Sequence, residues 1–153
     1  SGEFPSSLQY CRQLIFLDLG HNKFSGAIPT WIGEKNLSSL MILGLHSNMF
    51  SGSIPPQVLF GEIPDEIGDL WALQNLNLSR NHLSGNIPEN IGKMKSLESL
   101  DLRMNNLSGT IPQSLSALTY LNHLNLSYNN LSGPIPTGNQ LQTLPDPSIY
   151  IGN

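Results

Sequence analysis

The side chains that could support catalysis in this 153-residue chain do not form a recognisable catalytic pattern. Serines are frequent, but nearly all belong to a repeated Leu-Ser-Gly phrase, and none stands in the Gly-x-Ser-x-Gly turn of a hydrolase nucleophile. Glu98 and Asp101 lie near each other beside Arg103, a spacing that favours a solvated mixed-charge surface over a general acid–base pair. We therefore expect no catalytic site and no enzymatic activity in this chain.

Residues that could bind a metal ion or a cofactor are also poorly placed. His21, His46 and His123 occur in different segments at differing strand positions, which disfavours a shared metal site. The only cysteine, Cys11, has no second thiol for a disulfide or a zinc site. No glycine-rich phosphate loop follows a predicted strand. We expect no metal ion and no cofactor.

The charge pattern excludes two classes of partner. The chain carries 7 Lys and Arg residues against 11 Asp and Glu residues, giving a net charge of −4, and its basic residues do not cluster. A nucleic-acid or anionic-membrane surface requires such a basic cluster. No apolar run approaches the roughly 20 residues that span a bilayer. We expect neither nucleic-acid binding nor direct membrane contact.

The strongest pattern is the phrase Leu-x-x-Leu-x-Leu-x-x-Asn-x-Leu-Ser-Gly-x-Ile-Pro, written several times along the chain. The glycines of its second half, Gly61, Gly85, Gly109 and Gly133, recur at one constant interval. That interval falls within the period of roughly 20–29 residues that is typical of a leucine-rich repeat. The sequence therefore predicts a right-handed α/β repeat solenoid with a parallel concave sheet and short helical or irregular convex segments.

One repeat shows how the phrase predicts local structure. The alternation Leu100-Asp101-Leu102 indicates a short strand with one buried face. Gln113–Ala117 then crosses the convex side and is too short for more than a turn of helix, while Trp31 and Trp71 fall in convex segments as predicted packing residues. The recurring asparagine of the phrase predicts a buried ladder of hydrogen bonds. Its members are Asn22, Asn48, Asn81, Asn105 and Asn129.

The variable strand positions facing the concave side are the predicted functional surface. Aromatic and Arg side chains on an exposed sheet are the usual anchors of protein interfaces, which favours Phe16, Arg80, Arg103 and Tyr128. The full set of predicted partner-binding residues is Phe16, Asp18, His46, Arg80, Glu98, Asp101, Arg103, His123 and Tyr128.

Three segments resemble a narrower group of proteins. The phrase Leu-Ser-Gly-x-Ile-Pro resembles the plant-specific subclass of leucine-rich repeats. The segments 61–68 (GEIPDEIG) and 76–81 (LNLSRN) resemble the last repeats of plant receptor-like proteins of the fungal-resistance type. The segment 135–144 (IPTGNQLQTL) resembles the C-terminal cap of those proteins.

That resemblance implies a function. The chain would be part of the extracellular, apoplastic domain of a plant cell-surface receptor that perceives an elicitor or peptide in defence signalling. The parent protein would be anchored in the plasma membrane, and its partners would be a protein or peptide ligand and a leucine-rich-repeat co-receptor kinase.

Two alternatives remain open from the sequence. A secreted inhibitor of pathogen cell-wall-degrading enzymes, similar to polygalacturonase-inhibiting proteins, could present Asp18, Glu98 and Asp101 to a basic cleft. A more remote alternative is an ice-binding solenoid, although the concave positions vary too much in size and charge for a regular lattice.

Asn-x-Ser sequons for N-glycosylation are dense in this chain and fit a secreted protein. The repeat phrase itself generates the sequence Asn-Leu-Ser, which weakens that inference. The predicted acceptors are Asn36, Asn77, Asn106, Asn125 and Asn130.

The repeat period is interrupted once, because Gly61 follows Gly52 after far less than one full period. We expect one strand to be missing there, so that the array pinches or breaks between residues 1–59 and residues 60–144, with residues 145–153 beginning a truncated cap. In the receptor group a non-repeat island commonly precedes the last repeats. The short spacing has three open explanations, which are an absent island, an omitted loop and a natural deletion. A fragment or a joined chain is favoured over an independent protein.

Overall fold

The structure is a computed structural model that describes residues 2–34, 37–51, 62–144 and 146–153. Its strands are short, as expected for repeats that each contribute one Leu-x-Leu segment to a sheet. In chain order they are β1 (Phe16–Asp18), β2 (Ser25–Gly26), β3 (Ile42–Gly44), β4 (Met49–Phe50), β5 (Asn75–Asn77), β6 (Ser84–Asn86), β7 (Ser99–Asp101), β8 (Asn106–Thr110), β9 (His123–Asn125) and β10 (Asn130–Ser132).

Five of these strands form the concave sheet, in the order β1-β3-β5-β7-β9, with every pair parallel. The register places a leucine of each strand beside the leucine of its neighbour, and these leucines are buried. The alternate residues of the same strands face outward, as the period-2 pattern predicts. The leucines at the centre of the strands are Leu17, Leu43, Leu76, Leu100 and Leu124.

Smaller sheets follow the turn that leaves the concave sheet. Strand β2 pairs with β4, and β8 lies between β6 and β10, again in parallel. Each strand comes from the part of the repeat around its Leu-Ser-Gly or Phe-Ser-Gly segment and continues the stack on one side of the solenoid.

The convex side consists mainly of 3₁₀-helices. Within the described ranges, a proline in extended conformation, such as Pro88 or Pro112, precedes five of them and fixes the backbone before the turn. None of the helices within the described ranges is long and apolar enough to cross a bilayer. The 3₁₀-helices are Ser6–Tyr10, Thr30–Gly33, Asp65–Asp69, Glu89–Lys93, Gln113–Ala117 and Pro147–Tyr150, and α1 spans Asn139–Gln142.

A continuous apolar core fills the space between the concave sheet and the convex helices. Each repeat contributes leucines from its strand and one isoleucine or leucine from its 3₁₀-helix, such as Ile67, Ile91 and Leu115. Trp31 packs against this core, with its ring centroid 5.4 Å from that of Phe4, which confirms its predicted packing role. The same prediction is wrong for Trp71, whose side chain is 64% exposed.

Asparagine amides join consecutive repeats where the chain leaves the concave sheet. The Oδ1 atom of Asn105 accepts the backbone N–H of Leu83 at 3.0 Å, which lies in the preceding repeat. Its Nδ2 donates to the carbonyl oxygens of Leu78 and Leu102, each at 3.0 Å. Asn105 therefore satisfies backbone groups of two repeats with one buried side chain. Asn48, Asn81 and Asn129 make the equivalent bonds.

The two ends of this ladder differ from its middle. Asn22 is exposed and donates within its own repeat, to the carbonyl oxygens of Leu19 and Gly20. At the other end Asn153, which lies one full repeat period after Asn129, accepts the N–H of Leu131 and donates to the carbonyl oxygen of Leu126. Asn153 is not among the ladder residues predicted from the sequence, although its spacing from Asn129 is enough to identify it.

The expected break in the array does not occur between β3 and β5. These strands pair directly and in continuous register, and Asn81 donates to Leu45 and accepts the N–H of Phe50 across the same junction. The predicted break is wrong because the segment from Asn48 to Asn81 is longer than one full repeat period. It therefore contains enough residues for one complete repeat. Residues 52–61 lie outside the described residues, and the division at residues 59 and 145 stays a prediction.

The ladder makes a prediction about stability. Replacing Asn105 with Ala leaves the N–H of Leu83 and the carbonyl oxygens of Leu78 and Leu102 buried without this partner. We expect the free energy of unfolding to fall by about 3 kcal/mol or more, because each unsatisfied buried group costs about 1–3 kcal/mol. Urea unfolding followed by circular dichroism measures the loss.

Asn22→Ala is the matched control, because Asn22 is exposed and bonds only within its own repeat. We expect it to cost less than about 1 kcal/mol. Equal losses for the two variants would show that the amide does not act by joining repeats.

Candidate functional site

The candidate site is the outward surface of the concave sheet. Neighbouring strands of a sheet lie about 4.8 Å apart, so equivalent positions of successive repeats form straight rows across it. One row runs through Phe16, Ile42, Asn75, Ser99 and His123, which are in register in the five strands. Each row therefore offers a different sequence of side chains to a ligand that crosses the strands.

Six of the predicted binding residues, Asp18 among them, are exposed on this surface. Phe16 is 58% exposed and Tyr128 is 56% exposed, although both are large aromatic side chains. Arg80, Glu98 and His123 are exposed as well. The ring of Tyr128 lies over Gly152, where an added Cβ would come within 2.7 Å of its Cδ1 atom.

A second row has an unusual backbone. His21, Ser47, Arg80, Met104 and Tyr128 all have φ between 54° and 57°, in the left-handed region, and each directly precedes a ladder asparagine. This conformation costs a residue with a side chain roughly 1–2 kcal/mol. It fixes the direction in which Arg80 and Tyr128 leave the sheet. Nothing in the sequence indicates this conformation, because no glycine marks these positions.

A third row serves the fold itself. Asp18, Asn77, Asp101 and Asn125 each accept, through Oδ1, the backbone N–H of the residue two positions ahead, at 2.8–3.1 Å. The short acidic and amide side chains of this row therefore close a turn at the end of each strand. Gly44 is the member without a side chain.

This row corrects the prediction for Asp101. Asp101 is only 7% exposed, and its carboxylate also lies 3.4 Å from Nε of Arg103. The open mixed-charge surface expected around Asp101 and Arg103 is present only in part, because the Asp101 carboxylate is buried and accepts the Arg103 backbone N–H, whereas the Arg103 side chain stays 41% exposed. We assign Asp101 a structural role and Arg103 a secondary place in the candidate site.

Asp18, at the end of β1, lies close to His46, which follows β3 in the next repeat. The Oδ1 atom of Asp18 lies 3.9 Å from Nδ1 of His46, and the ring of His21 meets the His46 ring edge-on at 4.8 Å between centroids. Two glycines make room for them, since a Cβ on Gly20 would overlap the His46 ring and a Cβ on Gly44 would lie 2.8 Å from Asp18 Oδ1. Among the described residues, no group of three His, Cys, Asp or Glu side chains is arranged to hold a metal ion.

The sequon asparagines fall into two structural classes. Asn77 and Asn125 are half-buried on the concave sheet, and Oδ1 of each also accepts the hydroxyl of its own sequon serine at 2.7 Å. Asn106 and Asn130 are exposed on β8 and β10, at the side of the solenoid. Asn36 lies outside the described residues.

Two groups with a shifted pKa belong to the last turn rather than to the concave sheet. Hydrogen bonds from the hydroxyl and the backbone N–H of Ser148 lower the pKa of Asp146, which precedes the final 3₁₀-helix. Burial raises the pKa of the Tyr150 hydroxyl in that helix.

Family models agree with the repeat architecture. A model described as leucine rich repeat matches residues 64–131, and a second model of the same description matches residues 13–34 and 120–150. No curated protein sequence matches this chain.

Several solved structures from plants are similar to the chain. The leucine-rich-repeat ectodomain of the Arabidopsis thaliana receptor kinase GASSHO1/SCHENGEN3, in complex with Casparian strip integrity factor 2, is 38% identical over 88% of this chain, with a TM-score of 0.79. The ectodomain of the receptor kinase SOBIR1 from Arabidopsis thaliana is 29% identical over 90% of the chain, with a TM-score of 0.72.

The Arabidopsis receptor kinase HAESA, in complex with the peptide hormone IDA and the co-receptor SERK1, is 34% identical over 99% of the chain, with a TM-score of 0.50. The chain spans 15% of the matched GASSHO1/SCHENGEN3 chain, 69% of the SOBIR1 chain and 31% of the chain matched in the HAESA complex.

The turn-closing row makes a second stability prediction. Asp101→Ala removes the acceptor of the Arg103 N–H and leaves the Arg103 Nε without its carboxylate, so we expect a loss of about 2 kcal/mol in the free energy of unfolding. Asp101→Asn keeps the Oδ1 acceptor that Asn77 and Asn125 provide at the same position, and should lose less than half as much. Thermal and urea unfolding measure both.

Glu98→Ala is the control for removing an acidic side chain from the same strand region, since Glu98 is exposed. We expect a change within about 0.5 kcal/mol. A result in which Asp101→Asn costs as much as Asp101→Ala would assign the stability to the ion pair and not to the turn.

Proposed function

Because the chain belongs to the leucine-rich repeat family, in its plant type, we propose that it is a non-catalytic module whose concave face binds a protein or peptide ligand. The observation that carries the proposal is the set of large side chains left exposed on the sheet. Phe16, Arg80 and Tyr128 are residue types that act as anchors in protein interfaces, and the fold does not bury them.

The dimensions of the sheet suggest the form of the ligand. Phe16 lies in β1 and Tyr128 follows β9, four strand spacings away, or about 19 Å along the sheet. An extended peptide rises about 3.3 Å per residue, so about six residues would reach from one anchor to the other. We propose that a segment of this length crosses the strands, with Arg80 near its middle.

We further propose that the chain is part of the extracellular domain of a plant cell-surface receptor, with the parent protein anchored in the plasma membrane. The similarity to receptor kinase ectodomains supports this, and the HAESA complex with a peptide hormone and a co-receptor suggests a leucine-rich-repeat co-receptor kinase as second partner. A role in defence rests on the resemblance of the C-terminal repeats to receptor-like proteins.

The inhibitor alternative has less support. It relies on Asp18, Glu98 and Asp101 meeting a basic cleft. The carboxylates of Asp18 and Asp101 accept hydrogen bonds from their own turns, and Asp101 is buried. Glu98 is the one member of that set without such a bond among the described contacts, too little for a charge-complementary surface.

Binding to a displayed peptide library tests the concave-face proposal. Peptides selected on the intact chain should bind at least about tenfold more weakly to Arg80→Ala and to Tyr128→Ala, because each removes an interface anchor. Calorimetry or surface plasmon resonance measures the affinities. Titration of the peptide-loaded chain with the SERK1 ectodomain then tests the co-receptor part of the proposal.

Tyr120→Ala is the matched control, because Tyr120 is an equally exposed aromatic residue outside the concave sheet, at 67% exposure. The Tyr120→Ala variant should bind the selected peptides with the same affinity as the unchanged chain. Selected peptides that tolerate both concave substitutions would place the ligand elsewhere.

The proposal also predicts which sequons carry sugar. Glycans on Asn77 or Asn125 would lie across the concave sheet, whereas glycans on Asn106 and Asn130 would project from the side. We expect peptide mass mapping of the chain secreted from plant cells to find sugar on Asn106 and Asn130 only, among these four. Full occupancy of Asn77 and Asn125 would contradict ligand binding across the strands.

A further inference from the structure

A groove of about 490 Å³ lies on the convex side, away from the concave sheet. It is bounded by the 3₁₀-helices Thr30–Gly33 and Asp65–Asp69, and its size falls in the range of about 300–1,000 Å³ that is usual for small-ligand sites. Among the described residues, those that line it are Gly33, Ser38, Gly68, Asp69, Trp71 and Lys93.

Trp71 is the largest side chain of the groove, and the repeat does not require it. The equivalent residues of the next two repeats, Lys95 and Thr119, are polar. The indole of Trp71 is 64% exposed, so it adds little to the core. The indole of Trp71 therefore lines the groove at a position where the other repeats fold with a polar residue.

The floor of the groove is backbone that cannot carry side chains. A Cβ on Gly33 would collide with the carbonyl oxygen of Glu66, and a Cβ on Gly68 would collide with that of Asn90. Adjacent 3₁₀-helices approach too closely at these glycines for any larger residue. These glycines therefore let the 3₁₀-helices beside Trp71 pack closely against each other.

The charged groups at the rim balance each other. Nζ of Lys93 lies 3.7 Å from Oδ1 of Asp69, and both side chains are about half exposed. An exposed pair of this kind contributes little to stability, so both groups stay available to a ligand. Together with the hydroxyl residue Ser38 they offer donors and acceptors with no net charge.

We propose that this groove binds a pyranose ring of a neutral oligosaccharide. A pyranose presents an apolar C–H face, which matches the Trp71 plane, and a rim of hydroxyls, which matches Asp69, Lys93 and Ser38. The cancelled charge of the ion pair favours a neutral sugar over an acidic one. The site is separate from the concave face and does not depend on the ligand proposed there.

Calorimetry with three neutral hexasaccharides, of glucose, mannose and N-acetylglucosamine, tests the proposal. The full chain is used with the substitution Asn36→Gln, because Ser38 belongs to the sequon Asn36-Leu37-Ser38 and a sugar attached there would compete. We expect at least one hexasaccharide to bind, and Trp71→Ala to weaken it at least about tenfold. Tyr120→Ala, which removes an exposed aromatic residue elsewhere, should bind unchanged.

A second readout uses fluorescence, since Trp31 and Trp71 are the two tryptophans of the chain. With Trp31→Phe, the signal reports on Trp71 alone and should change saturably with the same hexasaccharide. Urea unfolding of Trp71→Ala should match that of the unchanged chain, because the indole is exposed.

Three results would overturn the proposal. The first is an absence of binding to all three hexasaccharides, and the second is equal affinity for Trp71→Ala. The third is a fluorescence change when the glycosylated Trp31→Phe chain is treated with an endoglycosidase, without binding of any added sugar. That result would mean that the chain's own glycan covers Trp71.

Discussion

The structure depends on one interaction, the buried asparagine amide that hydrogen-bonds backbone groups of two consecutive repeats. A parallel strand pair at this end of the sheet would otherwise leave buried N–H and carbonyl groups where the chain turns. Asn105 supplies both a donor and an acceptor there, to Leu78 and Leu83 of the repeat before it. Because the same bonds recur from rung to rung, the repeats are held at a constant spacing and the leucines meet in register.

The features that recur in every repeat could be predicted from the sequence. The Leu-x-Leu alternation predicts the strand and its buried face, and the asparagine three positions after it predicts the ladder. The short convex segment Gln113–Ala117 is also predictable, since a proline before it and few residues within it leave room only for one helical turn. These inferences succeed because local pattern and tertiary packing demand the same residues.

Features that depend on local backbone geometry or on the stacking of repeats were not predicted. In the sequence Asp101 resembles an exposed charge on a strand, but the direction of the backbone N–H two residues ahead makes its carboxylate part of a turn. Tyr128 gives no sign of positive φ, because a residue with a side chain stands where a glycine would signal it. The packing role predicted for Trp71 rests on residue type alone, and only the stacking of the convex helices shows that it faces solvent. The first two failures concern local backbone geometry, and the third concerns the stacking of neighbouring repeats.

The direct pairing of β3 with β5 means that distance along the chain is a poor measure of distance along the solenoid. Asn48 and Asn81 are farther apart in sequence than Asn81 and Asn105, yet both pairs are adjacent rungs. During evolution, residues can thus be gained between two strands while the spacing of the concave side chains is inherited unchanged. One residue gained between Leu76 and Leu78 would instead turn core side chains outward, because alternation has a period of two. Whether an insertion is tolerated therefore depends on whether it falls within a strand of the concave sheet or outside it.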